Sequence, residues 1–581
     1  MTVTEKQPRI LTVLQKVHAN LLELAGYPFL FAGITVALLT TVLVAAPSTW
    51  IVAAVIVVLL IAEMTTRNSL PTPERLTAPH DGRAYLGSGH ALRVLLFITA
   101  IASALTANGG IRTQHIIIVL FVAGLLLVEP LTVRMGRRGA PQGAHLPWAA
   151  ENPPSLPPQY PAYVANNIAL LVVCFFPSDL AVVITLLCTA VSVVAQVATW
   201  LVASRRTNIK KHVDATLTRE LAKYSPQFYV YYDAPVGTAY QLAMWLPYLD
   251  QLGERYAVIL RNQATLDEVA PLTQAPIIVR KDMASLDSVI VDSVKAVFYV
   301  NNAIKNAHFV RFHQYTHIQL NHGDSDKPPS YNPAMRMYDR NFVAGQAAVE
   351  RYAARGVETH PHYFEIVGRP QITGIQLTEA ETVPASPTVL YAPTWAGFMA
   401  DSQCSSLPIG LDIINAYVDA GARIIFRPHP HARNTPRLRT ACDAITERLT
   451  ALNDTTGTGH VIGEQAEREW SIIDCFNQSD ILVSDVSSVV PDYLYSAKPI
   501  VLTEIGVTDR EEFLTDNPIG VGCYILREDL SNLDKVVTES TTTDPLKATR
   551  LALRSHYLGD FPAETYEEAF LTTAARYVRG E

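Results

Sequence analysis

A chain of 581 residues with a formal net charge of −8 is too long for one ordinary domain and lacks the basic excess that nucleic-acid binding needs. Its six cysteines are scattered without a C-x-x-C pair, which argues against a zinc site or a disulfide framework and suits a reduced, cytoplasmic soluble part. The composition divides sharply: residues 29–203 are rich in Val, Leu, Ile and Ala, whereas from about Lys210 onward the make-up is that of a soluble enzyme.

In chain order, residues 1–28 read as a cytoplasmic tail. Spanning hydrocarbon takes roughly 20 apolar residues in a helix. Six runs come near that length, at 29–45, 50–64, 92–107, 116–133, 163–176 and 181–203, so an α-helical bundle of about six spans is expected over 29–205. Lys6, Arg9 and Lys16 precede the first run. Arg67, Arg75 and Arg83 follow the second, Arg134, Arg137 and Arg138 the fourth, and Arg205, Arg206, Lys210 and Lys211 the sixth, while the alternate loops carry only Arg112. Lys and Arg concentrate on the cytoplasmic side, so a multi-pass plasma-membrane protein with both termini and the soluble part cytoplasmic is expected. Residues 139–161 are proline-rich and read as an extended cytoplasmic linker.

From Phe228 the pattern becomes short β-branched or aromatic runs alternating with amphipathic helices. Strands are expected at 228–232, 257–260, 276–279, 296–300, 316–320, 341–344 and 364–367. A second series follows at 388–391, 423–426, 480–484 and 499–503. Helices are expected at 240–251, 411–420 and 438–452. Such alternation implies parallel sheets with helices on both faces. A break near 377–387 divides the series into halves at 215–377 and 378–581. Ligands of open parallel sheets bind beyond the carboxyl ends of the strands.

Three strand ends carry chemistry. After 316–320 come His322, Gly323, Asp324, Asp326 and Lys327. His322 is a candidate general base, Asp324 or Asp326 could orient it, and Lys327 could meet a phosphate. After 423–426 come Arg427-Pro428-His429-Pro430-His431, where two prolines stiffen a loop bearing Arg and His. After 480–484 come Asp485, Ser487 and Ser488, where a helix starting near Ser488 would offer free N–H groups and a positive dipole end to an anion. An ordinary Ser N-cap would read the same way. No metal constellation is present, although Asp324-Ser325-Asp326 has the form of an Asp-x-Asp cation site.

The run Val389-Leu390-Tyr391-Ala392-Pro393-Thr394-Trp395, the Arg427-Pro428-His429-Pro430 loop and the block Ser479 to Ser488, Asp492-Tyr493 and Lys498-Pro499-Ile500 resemble the CDP-glycerol glycerophosphotransferases of teichoic-acid synthesis. The resemblance runs over roughly 300–503. It implies a glycosyltransferase-B-like pair of Rossmann-type domains, the N-terminal half serving the acceptor and the C-terminal half the donor, with no metal or other cofactor. The implied reaction moves glycerol phosphate from CDP-glycerol to an acceptor hydroxyl and releases CMP. By motif position, His322 is similar to the family's base. His429 is similar to its phosphate-contacting histidine, and Ser487 and Ser488 to the residues that hold the pyrophosphate. Arg427 and Asp485 are expected beside the donor phosphates, with Gly323, Asp324, Asp326, Lys327 and Thr394 in support. Asn321 stands where the family usually has Trp, and Gly368-Arg369-Pro370-Gln371 where it has Gly-x-Pro-Arg. The added spans suggest a lipid-linked or wall-polymer acceptor. A nucleotide-sugar glycosyltransferase and a non-catalytic membrane scaffold of the same fold are the competing readings.

Overall fold

The computed structural model describes residues 113–138, 142–149, 154–157, single positions between 162 and 172, and 178–581 apart from 398–403 and 508. The chain divides into two compact units: one comprises 1–142 and 147–217, the other 143–146 and 218–581.

The expectation of about six spans is corrected in the first unit. Among the described residues one helix, Asp179–Tyr224, is long and apolar enough to cross a membrane. The runs at 29–45, 50–64 and 92–107 lie outside the described residues, as does most of 163–176. The run at 116–133 lies within the helix Thr113–Arg138, whose described apolar segment is Leu120–Glu129. The run at 181–203 does lie in a long helix, which continues past its expected end to Tyr224. No Gly or Pro interrupts 179–224, and the helix stops where Ser225, with φ 52°, precedes Pro226, a residue pair that disfavours helix.

The second unit holds two sheets. The first runs β1 (Gly143–Ala144), β4 (Ile277–Val279), β3 (Tyr256–Leu260), β2 (Phe228–Tyr232), β5 (Ala296–Tyr299), β6 (Thr316–Gln319), β7 (Arg340–Val343) and β8 (Phe364–Ile366) in spatial order. The second runs β10 (Arg423–Phe426), β9 (Thr388–Ala392), β11 (Ile481–Ser484), β12 (Ile500–Glu504) and β13 (Tyr524–Arg527). All pairings are parallel except that of β1 with β4. Central strands such as β2, β3 and β12 are buried at every position. This is why they read as unbroken apolar runs rather than as alternations.

Three differences from the sequence reading matter. The extended proline-rich linker is partly joined to the first sheet: Gly143 and Ala144 pair with Ile278 and Ile277 as an antiparallel edge strand. Only glycine fits at 143, because a Cβ there would stand 2.2 Å from the Ile277 carbonyl oxygen. The helix expected at 240–251 is two short ones, Tyr240–Ala243 and Leu246–Asp250, the second with Pro247 in its first turn. The last helix, Glu568–Arg579, does not stay with the second sheet. It places Phe570, Ala574 and Val578 in the core of the first sheet, beside Phe298 and Phe342.

A buried ion cluster also ties β6 and β7 to the C-terminal region. Arg351 Nη1 donates to Asp324 at 2.5 Å and its Nε to Asp326 at 3.0 Å, while the Tyr557 hydroxyl donates to Asp326 at 3.1 Å. Removing one partner of a buried pair typically costs about 3–5 kcal/mol because the other charge is stranded. Arg351→Met is therefore expected to lower the stability of the second unit by that amount. Urea unfolding of the purified protein, followed by tryptophan fluorescence, measures it.

Candidate active site

All of the strand-end residues lie in the second unit. Beyond β6 the chain turns through Asn321 at φ 56°, a left-handed conformation that Asn adopts more readily than most residues. The Asn321 carbonyl accepts the Trp245 indole N–H, and its amide donates to Asn341 Oδ1 at 3.1 Å. This held turn presents half-buried His322, whose Nδ1 lies 3.1 Å from the Val300 carbonyl oxygen. A carbonyl only accepts, so Nδ1 carries the hydrogen and Nε2 keeps its lone pair. Burial, with the Arg369 charge adding to it, holds this imidazole below its ordinary pKa, so it is neutral at pH 7, as a base must be.

Gly323 lets the two sheets meet. A Cβ there would stand 2.9 Å from both Cβ and Oγ of Ser488, so the turn after β6 touches the turn after β11. Asp324 and Asp326 do not orient His322; both are turned to Arg351. Lys327 reaches across the sheets to Thr394 Oγ1 at 3.4 Å, and its charge acts on His429 and Cys404.

On the opposite side, the His429 backbone N–H donates to the Pro393 carbonyl at 3.0 Å. The His431 backbone N–H donates to His429 Nδ1 at 3.1 Å. An N–H only donates, so His429 Nδ1 is bare and its hydrogen sits on Nε2. Burial first, then His431, Lys327 and His322, push its pKa down to about 3. The two histidines thus carry opposite tautomers: His322 offers an acceptor and His429 a donor.

Arg427 is not placed toward a phosphate. Its Nη1 donates to the carbonyls of Ala466 and, at 2.8 Å, Trp470, bracing the turn at 465–470. Asp485 is fully buried. It accepts the Thr394 N–H at 2.7 Å, the Ser406 N–H at 3.1 Å and the Thr503 hydroxyl at 2.6 Å. Burial raises the Asp485 pKa against those hydrogen bonds. Its two oxygens thus hold the loop after β9, the segment at Ser406 and strand β12 together, rather than being left open to a ligand. The helix after Ser487 and Ser488 is only Val489–Leu494, and the Ser488 side chain makes no capping bond. Its hydroxyl is therefore not spent as an N-cap.

Four residues join the site without having been assigned a role from the sequence. The Tyr240 ring centroid lies 6.4 Å from those of His322, His429 and His431. Trp395 stacks on His429 at 5.9 Å and 22°. Arg369 makes a two-pronged ion pair with Asp492, Nη2 lying 3.0 Å from Oδ2, and so ties the chain beyond β8 to the helix after the serines. Both partners sit in segments already singled out, but their pairing across the fold leaves no local signal. Among the described residues no three His, Cys, Asp or Glu side chains form a group able to hold a metal.

Residues 375–513 match the family model described as CDP-Glycerol:Poly(glycerophosphate) glycerophosphotransferase. This part of the chain is similar to that family. It contains His429, Asp485, Ser487, Ser488 and Asp492; His322 lies outside it. No curated protein sequence matches the chain. Among solved structures, the chain is similar to the wall teichoic acid polymerase TagF at 14% identity, covering 64% of this chain and 97% of that one with a TM-score of 0.36. It is also similar to a putative UDP-N-acetylglucosamine 2-epimerase from Listeria monocytogenes, at 13% identity over 61% of this chain and 97% of that one, TM-score 0.41. A glycosyltransferase from Rickettsia africae ESF-5 gives 13% identity, 61% and 98% coverage and a TM-score of 0.39.

Proposed function

We propose that this protein transfers glycerol phosphate from CDP-glycerol to a hydroxyl of a membrane-linked or cell-wall polymer and releases CMP. The observation that carries the reading is the pair of opposed tautomers, His322 from the first sheet and His429 from the second, gathered around Tyr240. The family match over 375–513 supplies the donor class. The acceptor oxygen attacks the phosphorus that bears glycerol. Its proton passes to His322 Nε2 as the new P–O bond forms and the bond to CMP breaks. Charge growing on the departing CMP oxygen is met by the His429 Nε2–H, the Lys327 ammonium and the Ser487 and Ser488 hydroxyls. Phosphoryl-type transfer depends mainly on such positioning and electrostatics.

Incubating membranes that hold the protein with CDP-glycerol and, separately, with UDP-sugars, then measuring CMP and UDP, tests the reading. CMP release that requires His322 and His429 supports it. UDP release in place of CMP would turn the assignment to a nucleotide-sugar glycosyltransferase.

The reading is also metal-independent: Lys327, His429, Ser487 and Ser488 are the groups assigned to the donor phosphates, and the Asp324 and Asp326 carboxylates are engaged by Arg351. Turnover of CDP-glycerol is expected to survive excess EDTA without loss. Gly323→Ala should push the two turns apart at Ser488. A misplacement near 1 Å can cost about 10²-fold, and the rate of CMP release reads that loss directly.

A further inference from the structure

The helix Asp179–Tyr224 is built inside out for water. Its buried stripe runs Thr185, Thr189, Ser192, Gln196 and Thr199, at alternating spacings of four and three residues, each no more than 8% exposed. That spacing is the seam of a packed helix pair, where a water-soluble protein places its apolar residues. The opposite stripe, at a strict interval of seven, is Leu180, Leu187, Val194 and Leu201, each 63–68% exposed. The seam is engaged: Thr132 Oγ1 donates to Gln196 Oε1 at 3.1 Å, Gln196 Nε2 donates to Ser192 Oγ at 3.0 Å, and the Trp200 indole donates to Thr132 Oγ1 at 2.9 Å. A second buried pair joins Asn166 Nδ2 to Glu129 Oε2 at 3.0 Å.

Exposing large apolar side chains while enclosing hydroxyls and amides is costly in water. In hydrocarbon the arrangement is favourable on both sides. Lipid tails accept the Leu and Val face, and interhelical hydrogen bonds between Ser, Thr and Gln join helices that no hydrophobic effect drives together. An 18-residue window of the helix has a mean hydropathy of 2.4 and is only 28% buried. The core helix of a soluble protein would be mostly covered, and a cleaved leader would lie near the N-terminus. Residues 180–203 extend about 36 Å at 1.5 Å each, enough for a hydrocarbon core of roughly 30 Å. Arg205, Arg206, Lys210 and Lys211 follow at once, where anionic headgroups would lie.

We infer that the Leu180–Leu187–Val194–Leu201 face of this helix is a lipid-contacting surface, its partner the hydrocarbon of a bilayer, and the Thr132–Gln196–Ser192 seam the lock that holds the helices together within it. The inference rests on the distribution of side chains alone and stands apart from the chemistry assigned to the second unit. The test uses the full chain in vesicles of phosphatidylcholine and phosphatidylglycerol. Nitroxide labels are placed at Leu187→Cys, Val194→Cys, Leu201→Cys and Ser192→Cys, with the six native cysteines replaced. Labels at 187, 194 and 201 are expected to meet dissolved oxygen far more often than a water-soluble nickel chelate, and the label at 192 to be shielded from both. Nickel contact at the three outer sites would place the face in water. Shielding of those sites from both reagents would mean that another protein surface covers it. Either result overturns the inference, as does release of the unlabelled wild-type chain into the supernatant by alkaline carbonate.

Discussion

His322→Gln is expected to abolish CMP release from CDP-glycerol in the presence of acceptor while the protein still folds. Glutamine can place an oxygen near the position of imidazole Nε2 and so keep a hydrogen-bond acceptor, but it cannot take up a proton. A positioned base contributes about 10²–10⁴-fold, and that is the range of the expected loss. The wild-type profile should show the titration of the same ring. Burial and the Arg369 charge lower the His322 pKa from the ordinary histidine value. The base works in its neutral form, so the rate is full above that lowered pKa and falls as the pH drops through it. The acid limb of kcat/KM, which reports the free enzyme, should therefore lie below pH ~6.5 and be missing from the residual activity of His322→Gln. Wild-type-like turnover in the variant, or an acid limb at or above the ordinary histidine value, would remove His322 from the role of base.

The parallel sheets were legible because β-branched and aromatic runs lie between polar turns, and their expected limits fall within about a residue of those observed at β2, β9, β10 and β12. β13 was missed: Tyr524–Arg527 is four residues long and follows a glycine-rich turn that gives no cue of its own. The strand ends themselves were readable, and with them His322, His429 and the two serines. The direction of each side chain was not. Pro428 fixes the backbone after Arg427, yet the guanidinium follows the carbonyls of Ala466 and Trp470, which no local pattern announces. Asp485 shows the same limit, since a strand-end carboxylate reads as a ligand group until three donors are found on it. The count of spans failed differently. Hydropathy sums side chains without asking which face each occupies, and the feature that sets the helix Asp179–Tyr224 apart is its buried polar seam.

The opposite tautomer at His429 gives the second large effect and a means of telling the two histidines apart. His429→Ala should reduce turnover by about 10²–10³-fold, the usual cost of removing one donor to developing charge. His429→Gln should restore much of that loss, because its amide N–H can stand in for the imidazole Nε2–H and no proton need be exchanged. At position 322 the same substitution should restore nothing. The contrast follows from two backbone groups. The Val300 carbonyl forces a hydrogen onto His322 Nδ1, whereas the His431 N–H strips it from His429 Nδ1. His429, with its pKa pushed down to about 3, stays neutral across the working range, so its removal should scale the rate without moving the acid limb. If glutamine fails equally at both positions, or if His429→Ala shifts that limb, the division of labour between acceptor and donor histidine is wrong. The cleft would then need a different base.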